Sequence, residues 1–113
     1  MAGTLKRISG PAYLAAAAAD IYTPAASTIY TVIKQVRIAN RTAGAVTFTL
    51  YIGATGGSAA GTEIDGAKSV AANDHLDMYF SPGLKMLSTD FLSGLASAAT
   101  SLVITVMGEQ YVV

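Results

Sequence analysis

The chain has 113 residues, with seven Lys and Arg against seven Asp and Glu, a formal net charge of zero, and no cysteine. That length suits one domain and not two, and a chain of this size buries roughly 60–70% of its unfolded surface, enough for a core without covalent staples. Nothing in the composition supplies the basic face that a nucleic-acid binder needs to displace counterions from phosphates, and without thiols there is neither a disulfide framework nor a thiolate metal site. Only 12% of residues are charged while 52% are hydrophobic, many of them Ala. A free monomer with so few charges has poor colloidal stability. The composition therefore points to a surface buried against copies of the chain or against a host assembly.

Met1 to Gly10 carries Lys6 and Arg7, and Gly10-Pro11 breaks regular structure. Ala12-Tyr13-Leu14 and the run Ala15 to Ala19 follow. Cations ahead of small apolar residues imitate a secretory signal, but the run is short and a Gly-Pro precedes it, so a signal is not expected. No 3.6-residue apolar period is present, and Ala12–Ala19 reads as a strand or extended arm, with a short helix as the alternative. Small side chains there suit close approach to another backbone, in this chain or a neighbour. Residues 1–19 are thus read as an N-terminal arm or first strand, and residues 20–113 as one domain.

Asp20 to Thr23 is extended and Pro24 ends it. Ile29 to Gly53 reads as two long strands joined by Asn40-Arg41-Thr42-Ala43-Gly44, where Asn and Gly can take positive φ. In the second strand Val46, Phe48, Leu50 and Ile52 share one face, and Thr47, Thr49 and Tyr51 the other. In the first, the inward set Ile33, Val36 and Ile38 breaks the period of two, which places a bulge near Lys34-Gln35. Gly53 to Gly61 is a low-complexity loop, and no Lys-Ser/Thr follows Gly56-Gly57 as a phosphate loop requires.

Glu63–Val70 is a weak strand with Gly66 as a candidate bulge, and Ala71–Asp74 is a turn. His75–Phe80 alternates cleanly, Ser81-Pro82-Gly83 signals a turn, and Leu84–Leu87 is a short strand. Phe91–Ala98 is another, and Leu102–Met107, apolar on both faces, has the pattern of a covered central strand. Tyr111–Val113 is a last apolar segment. The fold class expected is all-β: an antiparallel, jelly-roll-like β-sandwich of about eight to ten short strands with an extended N-terminal arm. No stretch approaches the roughly 18–20 apolar residues of a membrane helix, and no membrane partner is expected.

Chemistry-bearing residues are few. His75 is the sole histidine; Asp74 and Asp77 flank it, and Asp77 shares its strand face. Two or three such groups fall short of the usual transition-metal set. Ser93-Gly94 and Ser97 lie in a strand and not in a nucleophile elbow, which leaves His75 without a triad. Paired carboxylates such as Glu63 and Asp65 read as a solvated strand edge, while Asp20, Asp74, Asp90 and Glu109 sit at turns or strand ends. The tyrosines Tyr13, Tyr22, Tyr30, Tyr51, Tyr79 and Tyr111 read as packing and interface residues, with no Trp and no interleaved cations to favour ligand stacking. No catalytic, cofactor-binding or metal residue is assigned, and no cofactor or enzymatic activity is expected.

Ile21-Tyr22-Thr23-Pro24-Ala25, Val36-Arg37-Ile38-Ala39-Asn40-Arg41 and Ala45-Val46-Thr47-Phe48 together resemble a pattern of small tailed-bacteriophage virion proteins. The second half resembles them as well, at Ala72-Asn73-Asp74, Leu76, Gly83-Leu84 through Asp90, Leu102 to Val106 and Gly108-Glu109. The likeness spans roughly residues 20–110 and consists of turn and strand residues, with no catalytic motif. Pro24 directly after Thr23, and the Gly/Ser/Ala loop at 53–61, depart from the pattern. The resemblance implies a non-enzymatic virion component, a capsid decoration (cement) protein before a tail or head–tail accessory protein. Its partners would be copies of itself and other virion proteins, such as the major capsid protein. Met1–Ala19 and Tyr111–Val113 are the expected interface segments. A receptor- or glycan-binding module, with Tyr51, Tyr79 and Asp77 clustered on one face, is the alternative. A small enzyme or metal protein would rest on His75 alone.

Overall fold

The computed structural model describes residues 4–54 and 62–112, which form eight strands and no helix. The strands are β1 (Thr4–Tyr13), β2 (Ala19–Tyr22), β3 (Thr28–Asn40), β4 (Val46–Gly53), β5 (Glu63–Val70), β6 (His75–Leu87), β7 (Phe91–Ala96) and β8 (Leu102–Val112). They form two four-stranded sheets, one in the order β1-β8-β3-β6 and the other β2-β7-β4-β5. Every pairing is antiparallel. Two such sheets, with the chain passing back and forth between them, make a jelly roll. The expected fold class is therefore the one observed.

Period-two patterning builds the core between the sheets. Ile33, Val36 and Ile38 of β3 and Leu102, Ile104 and Val106 of β8 point in from one sheet; Phe48 and Leu50 of β4 and Leu92 of β7 point in from the other. All are buried, and each contributes about 1.5–3 kcal/mol relative to an exposed position. β8 is central, as its apolar run indicated, but Val103, Thr105 and Met107 on its outer face are only partly buried. β1 occupies the edge beside β8, so Thr4–Tyr13 is the first strand of a sheet. The Ala segment is not a helix: it forms a strap between the sheets. Leu14 is buried and its N–H donates to the Leu102 carbonyl at 2.9 Å, while the Ala96 N–H donates to the Ala15 carbonyl at 2.8 Å. The close backbone approach that small side chains permit is thus made within the chain.

The predicted β3–β4 hairpin is not formed. β3 pairs with β6 and β8, and β4 pairs with β5 and β7. Residues 40–45 are a corner that carries the chain from one sheet to the other, and both strands aim their apolar sets into the same core from opposite sides. Neither Asn40 nor Gly44 has positive φ. The corner is held by side-chain and backbone bonds instead. The Asn40 N–H donates to Asp74 O at 2.7 Å, and the Arg41 N–H donates to Ser101 O at 3.1 Å. Asn40 Nδ2 donates to the Gly44 and Val70 carbonyls at 2.8 and 3.1 Å, and Oδ1 accepts from the Thr42 N–H and hydroxyl at 2.9 and 2.7 Å.

The bulge at Lys34-Gln35 is present. Against β8, Ile33 faces Gly108 and Gln35 faces Met107, so Lys34 is the extra residue. Against β6, Ile33 faces Leu84 and Gln35 faces Tyr79, so Phe80 to Gly83 swing out of the ladder. Ser81-Pro82-Gly83 is therefore a bulge inside one continuous strand and not the turn its composition signals. Gly83 has φ +134°, a conformation that side chains disfavour. The two bulges nest, because Lys34 Nζ donates to the Pro82 carbonyl at 2.6 Å. In β5 the register slips twice, between Phe48↔Lys68 and Leu50↔Asp65, beside the predicted bulge at Gly66, and again between Leu50↔Asp65 and Tyr51↔Glu63.

Candidate interaction surface

The outer face of the β1-β8-β3-β6 sheet is set out by strand register. One row runs Leu5, Glu109, Val32, Lys85; the next runs Arg7, Met107, Gln35, Tyr79; a third holds Thr105, Arg37 and Asp77; a fourth runs Tyr13, Val103, Ala39, His75. At one end Tyr30 and Tyr111 stack with ring centroids 4.4 Å apart. Lys85 Nζ lies 4.4 Å from the Tyr30 ring centre on the same sheet. The Tyr111 hydroxyl donates to Glu109 at 2.8 Å, and that bond, with partial desolvation and the Glu109 charge, raises the phenol above the ordinary tyrosine range. Tyr30 thus has neighbours stacked on its ring, and it serves packing better than ligand stacking.

Among the described residues six large apolar side chains are exposed: Leu5, Tyr13, Ile29, Tyr79, Leu87 and Val112. All six belong to β1, β3, β6 or β8, and none to the β2-β7-β4-β5 sheet. Tyr79 is the most open at 72% and Leu87 stands at 53%. Surface apolar groups scattered singly need no account, but this concentration on one sheet does. Tyr13 stands at the far end from the tyrosine pair, where its hydroxyl accepts from Arg41 at 2.7 Å.

His75 sits at the edge of this face. Its Nε2 is 3.7 Å from Asp77 Oδ2 and its Nδ1 3.8 Å from Asp74 Oδ1. Both separations exceed hydrogen-bond reach. Asp77 also receives Gln35 Nε2 at 3.3 Å and Arg37 Nη1 at 3.5 Å, and Asp74 accepts the His75 backbone N–H at 2.8 Å. Each carboxylate is therefore engaged in local structure. Among the described residues no group of three or more His, Cys, Asp or Glu is placed to hold a metal ion. His75→Ala is expected to shift unfolding free energy by less than about 0.5 kcal/mol and to leave zinc retention in equilibrium dialysis at background. Metal retention that His75→Ala abolishes would refute this.

The Tyr51, Tyr79 and Asp77 cluster does not form. Tyr51 is buried in β4 of the other sheet, whereas Tyr79 and Asp77 share the outer face of β6. Alternation along each strand was legible, but the sheet to which each strand belongs was not. Ser93 is buried in β7 and Ser97 follows it, on the sheet opposite His75. Glu63 and Asp65 lie on edge strand β5. Tyr22 shares its hydroxyl with Thr31 at 3.1 Å and receives Gln110 Nε2 at 3.0 Å. A cavity of about 130 Å³ opens where the β1 and β2 edges part, lined by Ala12, Leu14, Asp20, Ile21 and Gly94 among others. Asp20 is the one carboxylate in its wall, so paired acid–base chemistry has no second group there. Gly56-Gly57, Met1–Gly3 and Val113 lie outside the described residues.

No protein-family model and no curated protein matches the chain. Among solved structures it is similar to a chain of the Bacillus endospore appendages, described as forming a novel family of disulfide-linked pili. The likeness has a TM-score of 0.56 at 20% identity and covers 98% of this chain and 88% of that one. At that identity what the two chains share is the fold.

Proposed function

We propose that this protein is a non-enzymatic structural subunit of a bacteriophage particle, a capsid decoration protein that seats the outer face of its β1-β8-β3-β6 sheet on the shell. The observation that carries this reading is that the exposed large apolar side chains among the described residues all belong to that one sheet, with Leu5, Tyr13, Tyr79 and Leu87 on its outer face. Low overall charge and exposed apolar side chains gathered on one sheet suit burial in an assembly. The similar solved chain comes from disulfide-linked pili, which supports an assembly role; with no cysteine in this sequence, its contacts in an assembly would not be disulfides. The virion setting rests on the resemblance over residues 20–110.

The test is co-sedimentation with purified phage shells of the parent chain and of a Tyr79→Ser/Leu87→Ser double variant. Both side chains are largely exposed, so the variant is expected to melt within about 3 °C of the parent and to lose at least tenfold in shell affinity. A parent chain with no affinity for shells, or a double variant that binds as the parent does, would defeat the proposal.

A further inference from the structure

Register divides the outer face of the β1-β8-β3-β6 sheet into two unlike halves. At one end Tyr111, Tyr30 and Leu87 lie side by side; the next row runs from Leu5 to Lys85, and the one after from Arg7 to Tyr79. Of the exposed large apolar side chains among the described residues, Leu5, Tyr79 and Leu87 fall in these rows, and Ile29 and Val112 lie on β3 and β8 just beyond the first row. Tyr13 alone stands in the other half, beside Arg41. The halves differ in charge as well. In the far half Arg37 is paired with Asp77 at 3.5 Å. In the apolar half Arg7 and Lys85 are exposed, and among the described residues no carboxylate lies within ion-pair distance of either. The Lys85 ammonium rests on the Tyr30 ring, and Lys34 adds a third cation at the bulge, held by the Pro82 carbonyl. Glu109 is the one carboxylate of these rows, and it accepts from the Tyr111 hydroxyl. Tyr111 lies on one side of the Glu109 row and Arg7 on the other, so that bond turns the carboxylate away from Arg7.

We infer that this half of the face receives a partner protein whose surface sets carboxylates beside apolar side chains. The inference rests on the seating proposed above and names the chemistry of the surface that this face fits. Apolar contact alone would cover Arg7 and Lys85 without a counter-charge, and an unpaired cation removed from water is strongly disfavoured. A partner carboxylate at each offsets that penalty and fixes the orientation of docking. β1 and β6 lie three strand steps apart, about 14 Å at the usual spacing. The two cations therefore suit an extended surface and not one small anion. Leu5 and Tyr79 occupy the other two corners of the same two rows. The patch thus alternates apolar and cationic corners, and a matching partner alternates apolar and acidic ones. Nucleic acid fits it poorly, because so few cations release too few counterions and the bases of a duplex leave the apolar groups uncovered. A second copy offering the same face would set cation against cation.

The experiment measures capture of the full chain on immobilised polymers, by interferometry at low salt. The probes are a random copolymer of glutamate and tyrosine, one of lysine and tyrosine, and polyphosphate. The proteins are the parent, an Arg7→Gln/Lys85→Gln variant, and Lys68→Glu, which makes the same change in net charge on the other sheet. The expected result is capture of the parent by the glutamate–tyrosine copolymer alone, a loss of about tenfold or more in the double variant, and a change of less than about twofold in Lys68→Glu. Co-sedimentation with phage shells follows the same order, and shell affinity of the parent falls as salt rises. Melting within about 3 °C of the parent establishes that each variant is folded. Equal capture of the double variant and the parent overturns the inference. Equal loss in Lys68→Glu also overturns it, by reducing the effect to net charge. Stronger capture by polyphosphate overturns it in favour of a phosphate polymer, and a parent dimer in light scattering that the double variant lacks overturns it in favour of a second copy. Shells that bind parent and double variant alike at every salt concentration overturn the inference and leave the seating intact. Shells that bind neither, with copolymer capture as expected, defeat the seating and uphold the acidic and apolar chemistry of the partner.

Discussion

Asn40→Asp is expected to lower the stability of the domain by about 3–5 kcal/mol. Asn40 is 3% exposed and works as both donor and acceptor. Its amide nitrogen serves the Gly44 and Val70 carbonyls, and its amide oxygen serves Thr42 twice. A carboxylate is the same size but has no N–H, so one oxygen would face two carbonyl oxygens without water between them. The charged form is disfavoured there, and the introduced acid has a raised pKa in the folded state. The folded variant then binds more protons than the unfolded chain, and its stability falls as pH rises through the carboxylate range. The check is the urea midpoint of parent and variant at two pH values. A loss of this size lowers the midpoint by more than about 1 M at an ordinary slope for small domains, and the gap between the two proteins narrows in acid. A variant within 1 kcal/mol of the parent, or a gap that does not depend on pH, would show that the corner does not rely on this amide.

Gly108→Ala is the second large effect, and its cause is purely steric. A Cβ at Gly108 would overlap the Val32 carbonyl oxygen and lie 3.1 Å from the Val32 carbonyl carbon and 3.2 Å from Ile33 Cα. All three are backbone atoms, so no rotamer change relieves the contact. β3 and β8, the two central strands of their sheet, must separate where Lys34 already bulges. The expected loss is about 3 kcal/mol or more, the upper range for overpacked sites, with a fall in melting temperature of about 10 °C or more. Gly44→Ala is the control: its Cβ meets nothing within 4 Å, and the melting temperature should stay within about 2 °C of the parent. Equal melting of the Gly108 variant and the parent would mean that this close approach of strands is not present in solution.

The faces of individual strands were legible because a side-chain period of two is a local property. Ile33, Val36 and Ile38 announced the bulge at Lys34, since no unbroken strand puts all three on one face. Partners were not legible. Asn40 to Gly44 has the composition of a hairpin turn, and nothing nearby distinguishes a turn within a sheet from a corner between sheets. The distinction is made by Asp74 and Ser101, which lie far along the chain and receive the corner's N–H groups. Ser81-Pro82-Gly83 misleads for a related reason, because the same residues suit a reversal of direction and an excursion from a ladder. The candidate surface was the least visible part. Tyr79 shares its strand face with His75 and Asp77, as the alternation indicated, but that Leu5, Tyr79 and Leu87 gather on the same sheet shows only once the strands are assembled.

The position of β8 governs the order of folding. It lies between β1 and β3, and Lys6 and Gln110, which it brings together, are 104 positions apart in sequence. While the chain is emerging from the ribosome, β1 has no strand to pair with in its own sheet until Leu102–Val112 has been made. The basic edge at Lys6-Arg7 therefore exists as an ordered edge only in a finished domain. Pairing of such distant segments places the chain among slow folders, with times of milliseconds to seconds. Closure by the final strand therefore comes last, because β1 has no place in its sheet before β8 exists.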